Sequence, residues 1–209
     1  MNKQQISAAA LKARQFFDRG NTLSLNNRVQ SLRKLGQEIR RRTPDLLAAL
    51  QTDLNKCPYE SFMAEIGLVL GEIDLAYRKL KRWAKAELRR PSLAQMPATA
   101  RVMKQPYGVV LLMSPWNYPF QLTMIPLVSA VAAGNCALVK PSAYAPATAA
   151  MIKALCESVF ESGHVQVILG GREENQALLE ERYDYIFFTG SPGVGKLVMQ
   201  KAAVHLTPL

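Results

Sequence analysis

Residues 107–140 read YGVVLLMSPWNYPFQLTMIPLVSAVAAGNCALVK, and the spacing of apolar runs in this segment predicts the architecture. An apolar run at 107–113 predicts a strand, a helical stretch follows at 122–133, and a second apolar run covers 136–139. Runs that are apolar throughout are typical of strands buried on both faces. Strand, helix and strand in this order indicate two parallel strands joined by a crossover helix.

The same alternation continues downstream. Short apolar runs predict strands at 165–169 and 185–188. Helical stretches precede or follow these runs at 147–160, 173–181 and 194–203. We therefore predict that residues 107–209 form an α/β domain with a doubly wound, Rossmann-like parallel sheet.

Upstream, residues 1–90 are predicted to form an N-terminal helical layer. One helix is expected over 25–39, and Thr43 followed by Pro44 is a typical start of the next. The longest helix is expected over 59–85, where apolar residues recur with the helical period. That stripe consists of Phe62, Ile66, Val69, Ile73, Tyr77, Leu80 and Trp83. Residues 91–106 contain several prolines and are predicted to be a linker with a short strand.

The charge of the chain is unevenly distributed. The formal net charge is +10, but the basic excess lies in residues 1–104, and the second half is close to neutral. One interpretation is that residues 78–104 bind nucleic acid. Few aromatic side chains lie among these basic residues, however, so a solvated helical face followed by a linker explains them better. The N-terminus lacks a secretory signal and no apolar run reaches membrane-spanning length. We expect a cytoplasmic protein that binds neither nucleic acid nor membrane.

The chemistry is expected where the parallel strands end. In an open α/β sheet, ligands bind outside the carboxyl ends of the strands. The four predicted strands are followed by SPWNYP, KPS, GG and TGSPGVGK. Together these segments offer an amide, an ammonium group and glycine-containing turns at helix starts, which suit the ribose and pyrophosphate groups of a dinucleotide.

The segment GSPGVGKL, residues 190–197, is a partial match to a nucleoside-triphosphate loop. It satisfies GxxxxGK after an apolar strand, but Leu197 stands where that motif needs a Ser or Thr hydroxyl for Mg²⁺. The segment also differs from GxGxxG. Neither phosphate-binding fingerprint is therefore complete, and we do not expect nucleoside triphosphate hydrolysis.

Three motifs in register carry a resemblance to a known family. The segments GVVLLMSPWNYPFQL, GNCALVKPSAYAP and DYIFFTGSPGVGK resemble the aldehyde dehydrogenase superfamily. EIGLVLGEID, PWNYP and HLTP resemble its class 3-like branch, and the similarity runs from about residue 25 to residue 209. The resemblance implies the N-terminal part of an NAD- or NADP-dependent enzyme that oxidises aldehydes to carboxylic acids, with the fold of that family incomplete.

The resemblance also implies a role for residues after the first strand. Asn117 matches the asparagine whose side-chain amide stabilises the oxyanion formed during the reaction. Ser114, Pro115 and Trp116 match the segment beside the nicotinamide end of the cofactor. Without the resemblance, Asn117 is also a common turn residue, and Trp116 is more often a core residue.

Further cofactor contacts are implied after the other strands. Lys140 resembles the lysine that holds the adenosine ribose, although a lysine at a strand end can also simply reach solvent. Gly190 and Ser191 resemble the turn that approaches the pyrophosphate, and Gly171 the position facing adenine. Ala143 occupies a place that is often acidic in the family, so nothing there repels a 2′-phosphate and NADP stays open beside NAD.

The family's remaining catalytic groups have no counterpart in the chain. A cysteine nucleophile and a water-activating glutamate are expected beyond HLTP, so we expect residues 1–209 alone to be inactive. The three cysteines Cys57, Cys136 and Cys156 are interpreted as inert thiols, and no metal site is expected. The resemblance implies an aldehyde substrate and a homodimeric full-length enzyme. The alternative is a stand-alone, non-catalytic module for dinucleotide binding or protein interaction.

Overall fold

The computed structural model describes residues 1–209 and contains nine α-helices and six strands. The helices are α1 (Lys3–Asp18), α2 (Leu25–Arg41), α3 (Thr43–Leu54), α4 (Pro58–Ser61), α5 (Gly67–Trp83), α6 (Gln121–Ala133), α7 (Pro146–Val159), α8 (Arg172–Leu179) and α9 (Pro192–Ala203). The strands are β1 (Glu87–Arg89), β2 (Ala100–Val102), β3 (Val109–Met113), β4 (Cys136–Lys140), β5 (Val165–Val167) and β6 (Tyr185–Phe188). From β3 onward strand and helix alternate, as the sequence predicts.

The central sheet has four parallel strands in the order β5-β4-β3-β6. In the middle of the sheet Leu111 lies opposite Leu138 of β4 on one side and Ile186 of β6 on the other. Successive strands are added first on one side of β3 and then on the other, so the order reverses between β3 and β6. The prediction of an α/β fold with a Rossmann-like parallel sheet is confirmed.

The two faces of the sheet are buried by different helices. One face carries Val110, Leu112 and Val139 and packs against a core that includes α2, α5, α6 and α7. The opposite face carries Leu111 and Leu138 and packs against α1, α8 and α9. Because both faces are covered, β3 and β4 are buried along their whole length, which explains their uninterrupted apolar sequence.

The longest predicted helix is interrupted. Between α4 and α5, residues Phe62–Ile66 form a π-helical turn, and the buried face changes phase across it. The predicted continuous stripe is therefore wrong at Phe62, which is 42% exposed, while Ser61 and Glu65 are buried instead. Tyr77 and Trp83 are also exposed, because the buried positions of α5 follow Val69, Ile73, Ala76 and Leu80.

The stretch between the helical layer and the sheet contains a small antiparallel pair. β1 pairs with β2, with Leu88 opposite Arg101. All three β1 residues are exposed, and Lys104 makes an ion pair with Glu87 there. The boundaries 1–90, 91–106 and 107–209 stay a prediction. Across the whole chain, the helices lack the combination of length and apolar character needed to cross a membrane.

Candidate functional site at the carboxyl edge of the sheet

The predicted site residues all follow strand ends at one edge of the sheet. The ends of the three neighbouring strands are joined by backbone hydrogen bonds: Ser114 N donates to Lys140 O over 3.2 Å, and Thr189 N donates to Met113 O over 3.0 Å. The structure thus brings four segments to the same edge. The predicted residues on them are Ser114, Pro115, Trp116, Asn117, Lys140, Gly171, Gly190 and Ser191.

The segment after β3 is fixed at its base and exposed at its tip. The Thr123 hydroxyl donates to Pro119 O over 2.6 Å and lies 2.5 Å from the Ser114 hydroxyl, which closes the loop onto the first turn of α6. The side chains at the tip of the loop, residues 116–118, stay accessible. Trp116 is 53% exposed, so the alternative reading as a core residue does not hold, and Asn117 is exposed as well.

Lys140 is a buried cation at the end of β4. The residue is 3% exposed, and its Nζ donates to Pro141 O over 2.8 Å. Burial lowers the pKa of Lys140 to about 8, and the negative charge of Glu174 counteracts part of that effect. The reading in which the side chain simply reaches solvent is therefore wrong. An ammonium group has three N–H donors, so hydrogen-bonding capacity remains at this edge.

Four helices begin at this edge, and their N-termini differ in how they are capped. Exposed N–H groups in the first turn of a helix attract anions. At α6, the Glu65 carboxylate accepts from the N–H groups of Phe120 and Gln121 over 2.8 and 3.3 Å. At α7, the Asp53 carboxylate accepts from Ala147 and Thr148, and both helix starts are thereby occupied by an anionic side chain.

The N-terminus of α8 is capped in the same way. The Glu174 carboxylate accepts from the N–H of Gly171 over 2.7 Å. The hydrogen bond from its own backbone N–H, together with this contact, lowers the pKa of Glu174. The N-terminal ammonium of Met1 lies 3.2 Å from the same carboxylate. The α carbon of Gly171 faces open space, since no atom lies within 4 Å of where a Cβ would stand.

The N-terminus of α9 has no carboxylate. Its capping group is the Ser191 hydroxyl, which accepts from Val194 N over 3.5 Å, and the first turn contains no acidic residue. The turn itself is shaped by glycine: a Cβ at Gly190 would lie 2.5 Å from the ring of Phe188. Because α9 begins at Pro192, Lys196 lies within the helix, and the segment lacks the long phosphate-wrapping loop of a nucleoside-triphosphate site.

Comparison with known proteins identifies the family. The model of the aldehyde dehydrogenase family matches residues 1–209. The chain belongs to the aldehyde dehydrogenase family. It is 43% identical over 198 residues to the mouse protein named aldehyde dehydrogenase family 3 member B3, and the match covers 95% of this chain and 41% of the relative.

Solved aldehyde dehydrogenase structures have the same fold. The substrate-bound state of Staphylococcus aureus AldH matches with a TM-score of 0.95 and 41% identity, over 97% of this chain and 44% of that one. A Mycobacterium tuberculosis aldehyde dehydrogenase complexed with NAD⁺ matches with a TM-score of 0.88 and 25% identity, over 100% of this chain and 43% of that one. The chain thus spans about two fifths of the length of its relatives.

Two of the three thiols of this aldehyde dehydrogenase chain are buried in the core. Burial raises the pKa of both Cys136 and Cys156 to about 12, so neither forms a thiolate near neutral pH. Cys57 is exposed and precedes α4. The structure contains no cluster of His, Cys, Asp and Glu side chains suited to a metal ion.

Three charged residues at this edge are not predicted by the sequence motifs of the aldehyde dehydrogenase chain. Lys56, Glu65 and Asp53 come from the helical layer, far from the strand ends in sequence, yet they contact the loops at the edge. Among them only Glu65 leaves a sequence signal, since it is a carboxylate next to Ile66 within a predicted apolar stripe.

A groove of about 360 Å³ lies away from the predicted site residues. The residues that line it include Arg28, Trp83 and Lys104.

Proposed function

We propose that the chain binds NAD⁺ or NADP⁺ at the carboxyl edge of its sheet and contributes the cofactor-binding part of an enzyme that oxidises aldehydes to carboxylic acids. The observation that carries this proposal is the capping of the helices. The starts of α6, α7 and α8 each receive a carboxylate, whereas the start of α9 receives a neutral hydroxyl. An anionic pyrophosphate is therefore favoured at α9 and disfavoured at the other three.

Each predicted residue has a position that fits this role. Gly190 and Ser191 border the start of α9, where the pyrophosphate binds through backbone N–H groups. Lys140 holds a ribose hydroxyl with the donors that Pro141 O leaves free. Gly171 leaves space for the adenine ring. The nicotinamide end lies along the segment after β3, formed by Ser114, Pro115 and Trp116.

Asn117 is the chain's proposed catalytic residue. Its exposed side-chain amide is a neutral donor for the carbonyl oxygen, which gains negative charge when the aldehyde is attacked. One donor of this kind contributes roughly 3 kcal/mol to stabilising the transition state. The bound nicotinamide supplies the hydride acceptor. We propose that neither Cys136 nor Cys156 is the nucleophile, since both thiols stay protonated in the core.

The choice between NAD⁺ and NADP⁺ depends on charge near the ribose. Ala143 is exposed in the turn after β4 and carries no carboxylate that would repel a 2′-phosphate. The Lys140 ammonium at the end of that strand attracts one. We therefore propose that both cofactors bind.

The proposal also includes an aldehyde as substrate, a homodimeric enzyme and a cytoplasmic location. The free cysteines are consistent with a reducing compartment.

Calorimetric titration tests this function. We expect the chain to bind NAD⁺ and NADP⁺ with no need for Mg²⁺, and to bind ATP more weakly, because Leu197 supplies no hydroxyl for a metal-bound triphosphate. Each nucleotide is titrated with and without EDTA. A Lys196→Ala variant serves as the control, since that lysine matters only in the triphosphate reading.

Two results would contradict the proposal. Tight, Mg²⁺-dependent ATP binding that is lost in Lys196→Ala would indicate a nucleoside-triphosphate site. The absence of any dinucleotide binding by a well-folded chain would favour the alternative of a non-catalytic interaction module.

A further inference from the structure

Two side chains of the helical layer hold the loop that carries Asn117. Lys56 lies between α3 and α4, and Glu65 lies in the π-helical turn before α5. Their charged groups are joined by an ion pair of 2.6 Å between Lys56 Nζ and Glu65 Oε1. Both residues then make separate contacts to residues 117–121.

Glu65 holds the far end of this loop. Its carboxylate is 0% exposed, and Oε2 accepts from Phe120 N over 2.8 Å and from Gln121 N over 3.3 Å. Phe120 is the N-cap position of α6 and provides no capping side chain of its own. A buried carboxylate is costly unless it is paired and hydrogen-bonded, and here the ammonium group and the two N–H groups satisfy it.

Lys56 holds the end of this loop that carries Asn117. Its Nζ donates to the backbone carbonyl of Asn117 over 3.0 Å and lies 4.1 Å from the centre of the Tyr118 ring. The lysine side chain is 11% exposed, so these contacts are made largely out of water. The backbone from the Asn117 carbonyl to Gln121 is therefore tied to one ion pair, while Asn117 itself stays exposed.

The π-helical turn is what brings Glu65 to this place. Buried positions in α5 recur every three or four residues back to Ile66, and a regular helix would bury Phe62 or Met63 next. Both are exposed, and the buried residues are instead Glu65 and, four positions before it, Ser61. The extra residue of the π-helical turn therefore shifts the buried face of the helix by one position, from Ile66 to Glu65. Such π-helical insertions occur frequently at functional sites.

We propose that Lys56 and Glu65 are positioning residues for Asn117. They fix the backbone of its loop so that the side-chain amide is already oriented when charge develops on the substrate oxygen. A donor that needs no reorganisation at the moment of reaction stabilises the transition state more than a mobile one. This inference rests on the proposed function of Asn117, since a positioning role presupposes that the amide acts on the substrate.

The test measures the loop directly by nuclear magnetic resonance of the full chain. In Lys56→Met, we expect the side-chain NH₂ signals of Asn117 to shift and broaden. The backbone amides of Phe120 and Gln121 should exchange with solvent about ten- to a hundredfold faster, because their acceptor loses its counter-ion. Lys56→Arg keeps the charge and should restore the Asn117 signals to nearly those of the unaltered chain.

Two further variants keep the result interpretable. Asp53→Asn weakens an equivalent carboxylate cap at α7 and should accelerate exchange at Ala147 and Thr148 without moving the Asn117 signals. Glu65→Gln replaces the carboxylate by a neutral amide acceptor, and it is used instead of Lys56→Met if Lys56→Met does not fold. Unchanged Asn117 signals in both Lys56→Met and Glu65→Gln would overturn the positioning role.

Failure of the proposed function gives a different result. If the unaltered chain does not bind NAD⁺, the proposed function fails, and with it the purpose of positioning, even if the loop responds as expected. If NAD⁺ binds and the Asn117 signals do not respond to either variant, the positioning role alone is wrong.

Discussion

Lys140→Met is expected to stabilise the chain by about 2 kcal/mol at pH 7 and to weaken NAD⁺ binding at least tenfold. The ammonium group is buried, and its pKa is lowered to about 8, so the folded chain bears the cost of a desolvated charge. Methionine fills similar space without that charge. The variant loses the bond to Pro141 O, which offsets part of the gain. A stabilising change that removes binding is typical of functional sites.

The pH dependence gives a second check on Lys140. Below pH 8 the lysine is charged in both the folded and the unfolded chain, and the cost of burying the charge is present in full. Between pH 8 and about 10.5 the unfolded chain holds the proton more tightly, so the free energy of unfolding rises with pH. Urea denaturation at pH 7 and pH 9.5 should show this rise in the unaltered chain and not in Lys140→Met. A variant that is less stable at pH 7 would instead indicate a structural lysine.

His164 is expected to make the fold sensitive to mild acid. Its ring stacks on Phe16 of α1 and meets Phe160 edge-on, with centroid separations of 5.6 and 5.3 Å. Its Nε2 is buried without a hydrogen-bond partner, and burial lowers the pKa of His164 to about 4. The unfolded chain, with a histidine pKa near 6.5, therefore binds the proton more tightly between these two values.

Stability should accordingly fall as the pH falls. From pH 7.5 to pH 5 the free energy of unfolding is expected to drop by about 2 kcal/mol through this histidine. His164→Phe keeps an aromatic ring between the two phenylalanines and should remove most of that drop, as measured by urea denaturation at both pH values. His205→Gln, a change at an exposed histidine, is the control and should retain it. An equal drop in His164→Phe would assign the acid sensitivity to other groups.

The sheet is the part of the fold that the sequence predicts best. The predicted strand at 107–113 is observed at Val109–Met113, the strand at 165–169 is shortened to Val165–Val167, and Tyr185–Phe188 agrees at both ends. β3 is buried on both faces, so burial leaves a continuous apolar signal in the sequence; β6 carries the same apolar signal although Phe187 is partly exposed. The order of the strands leaves no such local signal, and it depends on which helices cover each face.

The helical layer shows why periodicity alone is insufficient. Phe62 fits a helical repeat with Ile66, but the π-helical turn between them adds one residue and moves Phe62 to the surface. Of the site, the loop residues could be located from their place after the strands. The contacts of the supporting charges Asp53 and Glu65 could not be predicted, because their partners are backbone N–H groups, which no particular residue type marks in the sequence.

The central claim is that the start of α9 is the anion-binding helix terminus of this edge, and Gly193→Glu tests it most directly. Gly193 lies in the first turn, is exposed, and has open space around the position of a Cβ. A glutamate there introduces the carboxylate that the other three helix starts already have. It should stabilise the helix by up to about 1 kcal/mol, because glutamate is the better helix former and its charge suits the helix dipole.

The measurement is the NAD⁺ affinity of Gly193→Glu by calorimetry, alongside thermal unfolding. Asn26→Glu, which adds the same charge to the first turn of α2, is the matched control. We predict that Gly193→Glu binds NAD⁺ at least tenfold more weakly with an unchanged or higher melting temperature, while Asn26→Glu binds normally. Unaltered NAD⁺ affinity in Gly193→Glu would contradict the claim.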